Sequence, residues 1–415
     1  MKNMLTNFSV GQHQFSTRTI LYVLASCSLL VSIQLSSVSI ALIVVHALIT
    51  SPIKESKQFL KRNALPLFLY LGFFILFLIS LSYSKNLNLG WKDIESKLSL
   101  VLLPLAIFSQ KEISKKEISV ILKCFSIFTL FCGILAILFS FLNEGRLLTN
   151  QELSAQIGIH ASYFSLYLLL SIAVFVQEAI QASKLKALYL AFSIIGFILL
   201  LLLASRIIIL STFLVAGVYI FFFNYSKGKI LIFIFSILAL VLTIIFVPSV
   251  KTRFVEAIDF SDRVELDADI NEHRTLGRNF GGRAIRVAIW TCSMDVVEEN
   301  WLFGVGAGDV HEHLQQSYKD HVFEFAYKYN NYNAHNLYIE TLIAVGVLGL
   351  LLVLSLFFLL VKKALNQRNV IFLTFVLSFV MLSIMESSFN VHRGIVYFTL
   401  FSCLILNTNP VKGYK

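Results

Sequence analysis

Apolar runs recur along the whole chain, at 18–33, 36–50, 64–83, 97–109, 118–142, 158–178, 185–204, 206–223, 229–247, 336–361, 370–388 and 394–408. A chain patterned this way cannot fold with a wholly aqueous surface. A hydrocarbon core calls for roughly 20 apolar residues per helix, with a range of about 17–25, so about twelve spans are predicted. The first two runs and the fourth are short for a full crossing. The runs are rich in Leu, Ile and Phe and lack period-two alternation, which predicts helices and not a barrel. Composition agrees. Apolar residues make up 57% of the chain and charged residues 14%, whereas soluble domains carry about 25% charge. The predicted fold class is an all-α polytopic membrane protein with one large helical loop between spans nine and ten. Residues 1–247 would form an N-terminal bundle, 248–334 the loop, and 335–415 the C-terminal spans.

Lys and Arg set the orientation. Lys2 and Arg18 precede the first run. Lys54, Lys57, Lys61 and Arg62 follow the second, and Lys111, Lys115 and Lys116 the fourth. Lys184 and Lys186 follow the sixth, Lys227 and Lys229 the eighth, and Lys362, Lys363 and Arg368 the tenth, while Lys412 and Lys415 close the sequence. Every alternate loop is basic, so both termini are expected in the cytoplasm and the large loop outside. The net charge of +10 is read as this inside bias and not as affinity for nucleic acid. No small-residue cleavage site follows the first run, which predicts its retention. Cys27, Cys124, Cys132 and Cys403 lie in apolar runs and Cys292 in the loop. Their spacing suggests neither a disulfide nor a metal site.

The loop is helical in period. Ala284, Val287, Ala288 and Thr291 recur at helix spacing, with Val296 and Trp301 further on. Asp309 resembles an N-cap for a helix over 310–329, on which Leu314, Tyr318, Val322, Phe325 and Ala326 share a face. These are read as amphipathic helices lying on the outer leaflet. Arg274, Arg278, Arg283 and Arg286 occur without an acid between Glu272 and Asp295. Arg283, Arg286 and Trp290 fall on one helix face. Arg carries a planar donor fork suited to phosphate, although a lipid-headgroup anchor would look the same. Arg206, in Ser205-Arg206 between two apolar runs, is costly near a bilayer unless it snorkels. Glu386 and Arg393 belong to the last outer loop. Gly304-Val-Gly306-Ala-Gly308-Asp309 could hold an anion on successive amides or simply turn. Asp267-Ala-Asp269 looks like a metal-binding Asp-x-Asp motif but has no surrounding α/β domain and lies on the expected outer side, and His311-Glu-His313 has metal-like residue types with poor spacing for one helix face. His335-Asn336 stands where the loop meets an apolar helix. There it suits a general base, with a helix-capping or interfacial His as the plainer alternative and Asn336 placed to orient the ring.

In order, Ser205-Arg206, Arg286-Val-Ala-Ile-Trp290, Leu302-Phe-Gly304-Val-Gly306-Ala-Gly308-Asp309, and Ala334-His335-Asn336-Leu-Tyr338 to Gly349 resemble the motifs of the O-antigen ligase and polymerase superfamily. The Glu386–Gly394 segment resembles a final outer-loop motif of some members. Trp301 departs from the pattern, since many members have Pro there. The resemblance implies a metal-independent, cofactor-free glycan transferase of the bacterial inner membrane with its active site on the periplasmic face. Its donor would be an undecaprenyl-diphosphate-linked glycan and its acceptor a lipid such as lipid A-core, or a protein, in the same membrane. Membrane lipids would be its other partners. His335, Arg286 and Arg206 are expected to be catalytic. Arg283, Arg278, Trp290, Asn336, Glu386, Arg393 and Gly306 are expected to bind diphosphate or glycan. Ligase is preferred to polymerase on the order of the Arg-x-x-x-Trp and His-Asn motifs. A transporter is disfavoured because the charges gather at one face, with Lys123 the nearest midspan case.

Overall fold

A computed structural model describes residues 7–10, 13–181, 184–223, 282–321, 323 and 325–408. The run at 229–247, Arg278, Asp267, Asp269 and the terminal lysines lie outside these residues, and so does the side chain of Arg283. The fold is helical, as expected, with one addition. Asn7–Val10 (β1) and His13–Ser16 (β2) pair as an antiparallel hairpin, Asn7 opposite Ser16 and Val10 opposite His13.

The helices before the loop are α1 (Thr17–Ser28), α2 (Ile33–Thr50), α3 (Ile53–Arg62), α4 (Ala64–Ser80), α5 (Leu87–Lys97), α6 (Ser99–Phe108), α7 (Lys115–Glu144), α8 (Asn150–Ala155), α9 (Ala161–Gln181), α10 (Lys186–Leu203) and α11 (Arg206–Phe223). Then come α12 (Gly282–Asn300), α13 (Val310–Asp320), a π-helical turn at Phe325–Asn330, α14 (Leu337–Asn366), α15 (Val370–Met385) and α16 (His392–Leu406). Their starts follow local chemistry. Ser16, Ser32, Asn86, Asn336 and Asn369 each accept an amide of the first turn through the side chain. Ser114 and Glu117 form a capping box at the head of α7, which ends at Gly145 in the left-handed region.

Five described helices are long and apolar enough to cross a bilayer: α2, α7, α9, α10 and α14. A sixth results if α3 and α4, bent by 88° at their junction, count together. The expected spans at 18–33 and 97–109 are the short helices α1 and α6, while α11, α15 and α16 are apolar but shorter. At α16 the reason is packing. Every residue from Gly394 to Leu406 is buried, as a helix apolar on all sides must be. Phe398 of α16 stacks on Phe379 at 4.6 Å, Tyr397 packs tilted against Tyr167 at 4.8 Å, and Phe401 meets Phe125 edge-on at 4.9 Å.

Polar contacts define two ends of this bundle. At one, Arg18 pairs with Glu117 at 2.9 Å and donates to the Lys111 carbonyl at 2.8 Å. Arg62 pairs with Glu112 and donates to Asn407 Oδ1 at 3.0 Å. Lys363 donates to the Leu406 carbonyl at 3.0 Å. The basic loops 18, 62, 111–117 and 363 therefore meet at one end. At the other, Arg393 donates to the carbonyls of Leu29 and Gly158, so the far end of α1 and the turn between α8 and α9 meet the start of α16. Between the ends, Lys123 of α7 pairs with Glu178 of α9 at 2.7 Å.

The described loop residues build a second, smaller core at the Arg393 end. It gathers Ala288, Ile289, Cys292, Val296, Leu314, Tyr318, Phe323, Ala326 and Ile343. The predicted helix faces need correction. Val287 and Thr291 are exposed while Ile289 and Cys292 are buried, and Trp301 lies beyond α12 and is exposed. α13 ends at Asp320, not 329, and Asp309 does not cap it through its side chain. The Asp309 carboxylate instead accepts the amides of Lys85 and Asn86 at 2.7 and 2.8 Å.

The apolar run at 336–361 is a broken helix. Gly346 sits at φ 67° and ψ −165°. The break is filled by the glycine-rich segment: Val305 N–H donates to the Ile343 carbonyl, Gly306 N–H to that of Ala344, and Val347 N–H to that of Trp301. The carbonyls freed by the break are thus satisfied by another segment, the condition for irregular backbone among apolar helices. A Cβ on Gly346 would stand 2.1 Å from the Leu302 carbonyl oxygen, and the dihedrals are accessible essentially to Gly alone. Gly346→Ala should therefore destabilise the fold by about 3 kcal/mol or more. Gly145→Ala, whose Cβ would meet nothing within 4 Å, should cost only about 1–2 kcal/mol. Thermal unfolding in one detergent decides, and equal melting of the two variants would contradict the break as a structural requirement.

Candidate active site

α15 ends at Met385, and the next residue, Glu386, adopts extended φ/ψ and starts the turn to α16. Its carboxylate is buried, and three elements reach it. Ser162, in the first turn of α9, donates its hydroxyl to Oε1 at 3.0 Å. Arg286 of α12 places Nη2 3.9 Å from the same oxygen, and His335 places Nδ1 3.9 Å from Oε2. Burial pushes this carboxyl up, but the facing His335 together with the charges of His160 and Arg286 outweighs it and holds the group below the usual carboxylate range. It is an anion at neutral pH. Arg286 and His335, 49 residues apart in chain order, meet on it.

The loop carrying His335 is held from several sides. His335 has φ 44°, uncommon for a side-chain-bearing residue. Its amide donates to Asn333 Oδ1 at 3.0 Å. The preceding Ala334 donates its amide to Glu340 Oε2 at 2.8 Å and accepts Trp290 Nε1 on its carbonyl at 3.1 Å. Tyr332 meets the imidazole edge-on at 5.3 Å. Burial lifts the Tyr332 phenol above its ordinary range, against the pull of the Arg286 charge. Trp290 thus acts on the backbone beside His335, four residues from Arg286 on the same helix.

Asn336 does not orient the imidazole. Its side-chain oxygen accepts the amides of Tyr338 and Ile339 at 2.9 and 3.1 Å, capping α14, and its own amide donates to Ser387 Oγ at 3.2 Å. The capping role weighed for His335 belongs to its neighbour. Glu340, one turn into α14, is the brace that the sequence left unassigned. Besides the Ala334 amide it accepts Ser387 Oγ at 3.3 Å and Asn390 Nδ2 at 2.9 Å. One buried carboxylate therefore ties the His335 loop to the Glu386–Asn390 loop.

Other expected site residues sit differently. Arg206 is the first residue of α11. α9 leaves Ser162 and α10 returns beside it, so Arg206 stands at the Glu386 end of the bundle. The backbone of Arg283 lies one turn before Arg286 on α12. Gly306 is not part of an open anion nest. The amides of Gly304, Val305, Gly306, Ala307, Gly308 and Asp309 are all bonded within the protein, those of Ala307 and Gly308 to Ser80 and Ser84 hydroxyls. Arg393 braces two backbone carbonyls, as above, instead of facing Glu386. Among the described residues no cluster of three or more His, Cys, Asp or Glu is arranged to hold a metal ion, His311-Glu312-His313 included. Ser162 carried no signal, being one hydroxyl at the start of an apolar run. Glu340 carried one, an acid inside an apolar helix.

An arginine, an imidazole and a hydroxyl around a fixed anion can bind an anionic group and accept a proton. They do so at the end of a bundle of apolar helices. No curated protein matches the chain. Residues 191–354 match the O-antigen ligase family, whose members are glycosyltransferase-like ligases and polymerases. That segment contains Arg206, Arg286, Trp290 and His335, while Ser162 and Glu386 lie outside it. The similarity over that segment supports membership of the O-antigen ligase superfamily for this membrane protein.

Proposed function

We propose that the protein transfers a glycan from undecaprenyl diphosphate to an acceptor in the same membrane, a lipid such as lipid A-core, on the periplasmic face of the bacterial inner membrane. The observation that carries this reading is the meeting of Arg286 and His335 on the Glu386 carboxylate, at the bundle end opposite the basic loops. In the proposed topology of twelve spans, with both termini cytoplasmic, that end faces outward. The run at 229–247 supplies the ninth span and residues 248–334 the outer loop.

In this mechanism the acceptor hydroxyl gives its proton to His335 as its oxygen forms a bond to the anomeric carbon of the donor. The bond from that carbon to the diphosphate oxygen breaks, and the lipid diphosphate leaves with the electron pair. Arg286 and Arg206, with Arg283 and Arg278, offset the charge on the leaving group. Glu386 faces Nδ1, so Nε2 is left to receive the proton, and its negative charge favours the imidazolium that forms. Arginines supply the positive charge that a metal would otherwise bring.

Topology is checked by cysteine labelling. A cysteine at exposed His311 should react with a membrane-impermeant reagent from outside, and one at exposed Lys115 should not. The reverse pattern would overturn the orientation.

For the chemistry, His335→Ala should lower turnover by about 100- to 10,000-fold with donor binding largely kept. Arg286→Lys retains charge but loses the fork, so it should weaken donor binding. Near-normal transfer by purified His335→Ala would remove the general base, and full activity of Arg286→Lys would remove the clamp. Transfer should also persist in a chelator, and loss restored by magnesium or manganese would refute the metal-independent mechanism.

A deletion strain separates the two family activities. Long glycans accumulating on the carrier support the ligase, and single repeat units would assign a polymerase instead.

A further inference from the structure

Behind the His335 loop lies a cavity of about 360 Å³, within the range of roughly 300–1,000 Å³ typical of small-molecule sites. Its rim carries exposed Leu89 and His311. Its depth is lined by the buried rings of Phe73, Phe77 and Phe389 and by the buried polar side chains of Lys97 and Glu340. Asp93, Asn333 and Asn390 stand between.

The charges here are organised. Lys97, 1% exposed, pairs with Asp93, donates to Asn390 Oδ1 at 3.1 Å and lies 4.6 Å from the centre of the Phe77 ring. Asn390 in turn donates to Glu340. A row of donors and acceptors thus runs from Asp93 to Glu340 beside an aromatic floor. This is the chemistry of a pyranose site, in which C–H faces lie on aromatic rings and neighbouring hydroxyls bond to carboxylate, amide and ammonium groups. A lipid tail would strip water from the Asp93–Lys97 pair and offer it nothing in return.

Asn333 belongs to both places. It lines the cavity while its side-chain oxygen holds the His335 amide. Glu340 likewise lines the cavity and holds the Ala334 amide. The cavity and the Glu386 cluster therefore lie against one short segment of chain. We infer that the cavity is a subsite for a sugar of the acceptor glycan, which presents its hydroxyl to the His335 loop. This rests on the glycan-transfer reading given above.

The test is direct binding, with the full chain in phosphatidylcholine nanodiscs and methyl glycosides of glucose, galactose and N-acetylglucosamine as probes. Saturation-transfer NMR at concentrations on the order of millimolar should show transfer to the ring protons of at least one glycoside. His311→Ala, at the exposed rim, and Asp93→Asn, isosteric, should each reduce it by about fivefold or more, the loss of one hydrogen bond. His335→Ala should leave it unchanged. Should Asp93→Asn fail to fold, His311→Ala decides alone. No transfer to wild type, equal signals in the folded variants, or displacement of the glycoside by farnesol would overturn the subsite. In reconstituted transfer, His311→Ala should raise KM for the acceptor, and a raised donor KM instead would overturn the assignment to the acceptor. Glycoside binding with an active His335→Ala would defeat the general base and keep the subsite. An inactive His335→Ala without glycoside binding would defeat the subsite alone.

Discussion

A carboxylate buried at the head of an apolar helix is tolerated only when its lone pairs are filled. Glu340 meets that demand with an amide from the His335 loop, a hydroxyl from Ser387 and an amide group from Asn390. Two loops that are distant in the chain are thereby forced together. The position of His335 follows from this constraint, because Ala334 beside it is one of the donors. Glu386 repeats the logic one layer further out with Ser162, Arg286 and His335, but with looser contacts of 3.9 Å to its two cationic partners. The inner carboxylate is filled by short neutral hydrogen bonds and serves to brace. The outer one faces the ionisable groups Arg286 and His335.

The second constraint is the break at Gly346. An apolar helix can leave its ladder only where other groups satisfy the exposed carbonyls. The segment 301–306 does so, and Ser80 and Ser84 on the α4 side hold Ala307 and Gly308 in turn. The glycines are small because backbone passes backbone here, with Gly304, Gly306 and Gly308 all leaving no room for a Cβ. This clasp joins the loop helices to α4 and α14, so α12 is anchored and Arg286 with it. A segment that looked able to bind an anion is instead the fastening that places the arginine.

The two ends of the bundle differ in how their charges are used. At the basic end Arg18, Arg62 and Lys363 are bonded to carboxylates and carbonyls of neighbouring helices, closing that end. At the other end Arg286 and His335 meet a carboxylate across wider gaps and remain partly exposed. At the first end the contacts are short; at the second, Arg393 braces two carbonyls while Arg286 and His335 face Glu386 at 3.9 Å.

Composition and spacing were enough for the helical membrane class and for the basic loops that gather at one end, and they singled out Arg286, Trp290, His335 and Glu386, which the structure brings close together. Those features depend on hydropathy, charge and helical period, which are local. The roles of Asn336, Gly306 and Arg393 could not be read this way. An asparagine before a helix, a glycine in a turn and an arginine in a loop have the same sequence appearance whether they meet a ligand or the protein's own backbone. Lys97 and Ser162 gave no sign because their partners, Asn390 and Glu386, lie hundreds of residues away. The residue types, and hence the available chemistry, were determined by sequence. Which polar groups are consumed in holding the fold was decided only by tertiary structure, because hydrogen-bond satisfaction depends on distance in space and not on separation along the chain.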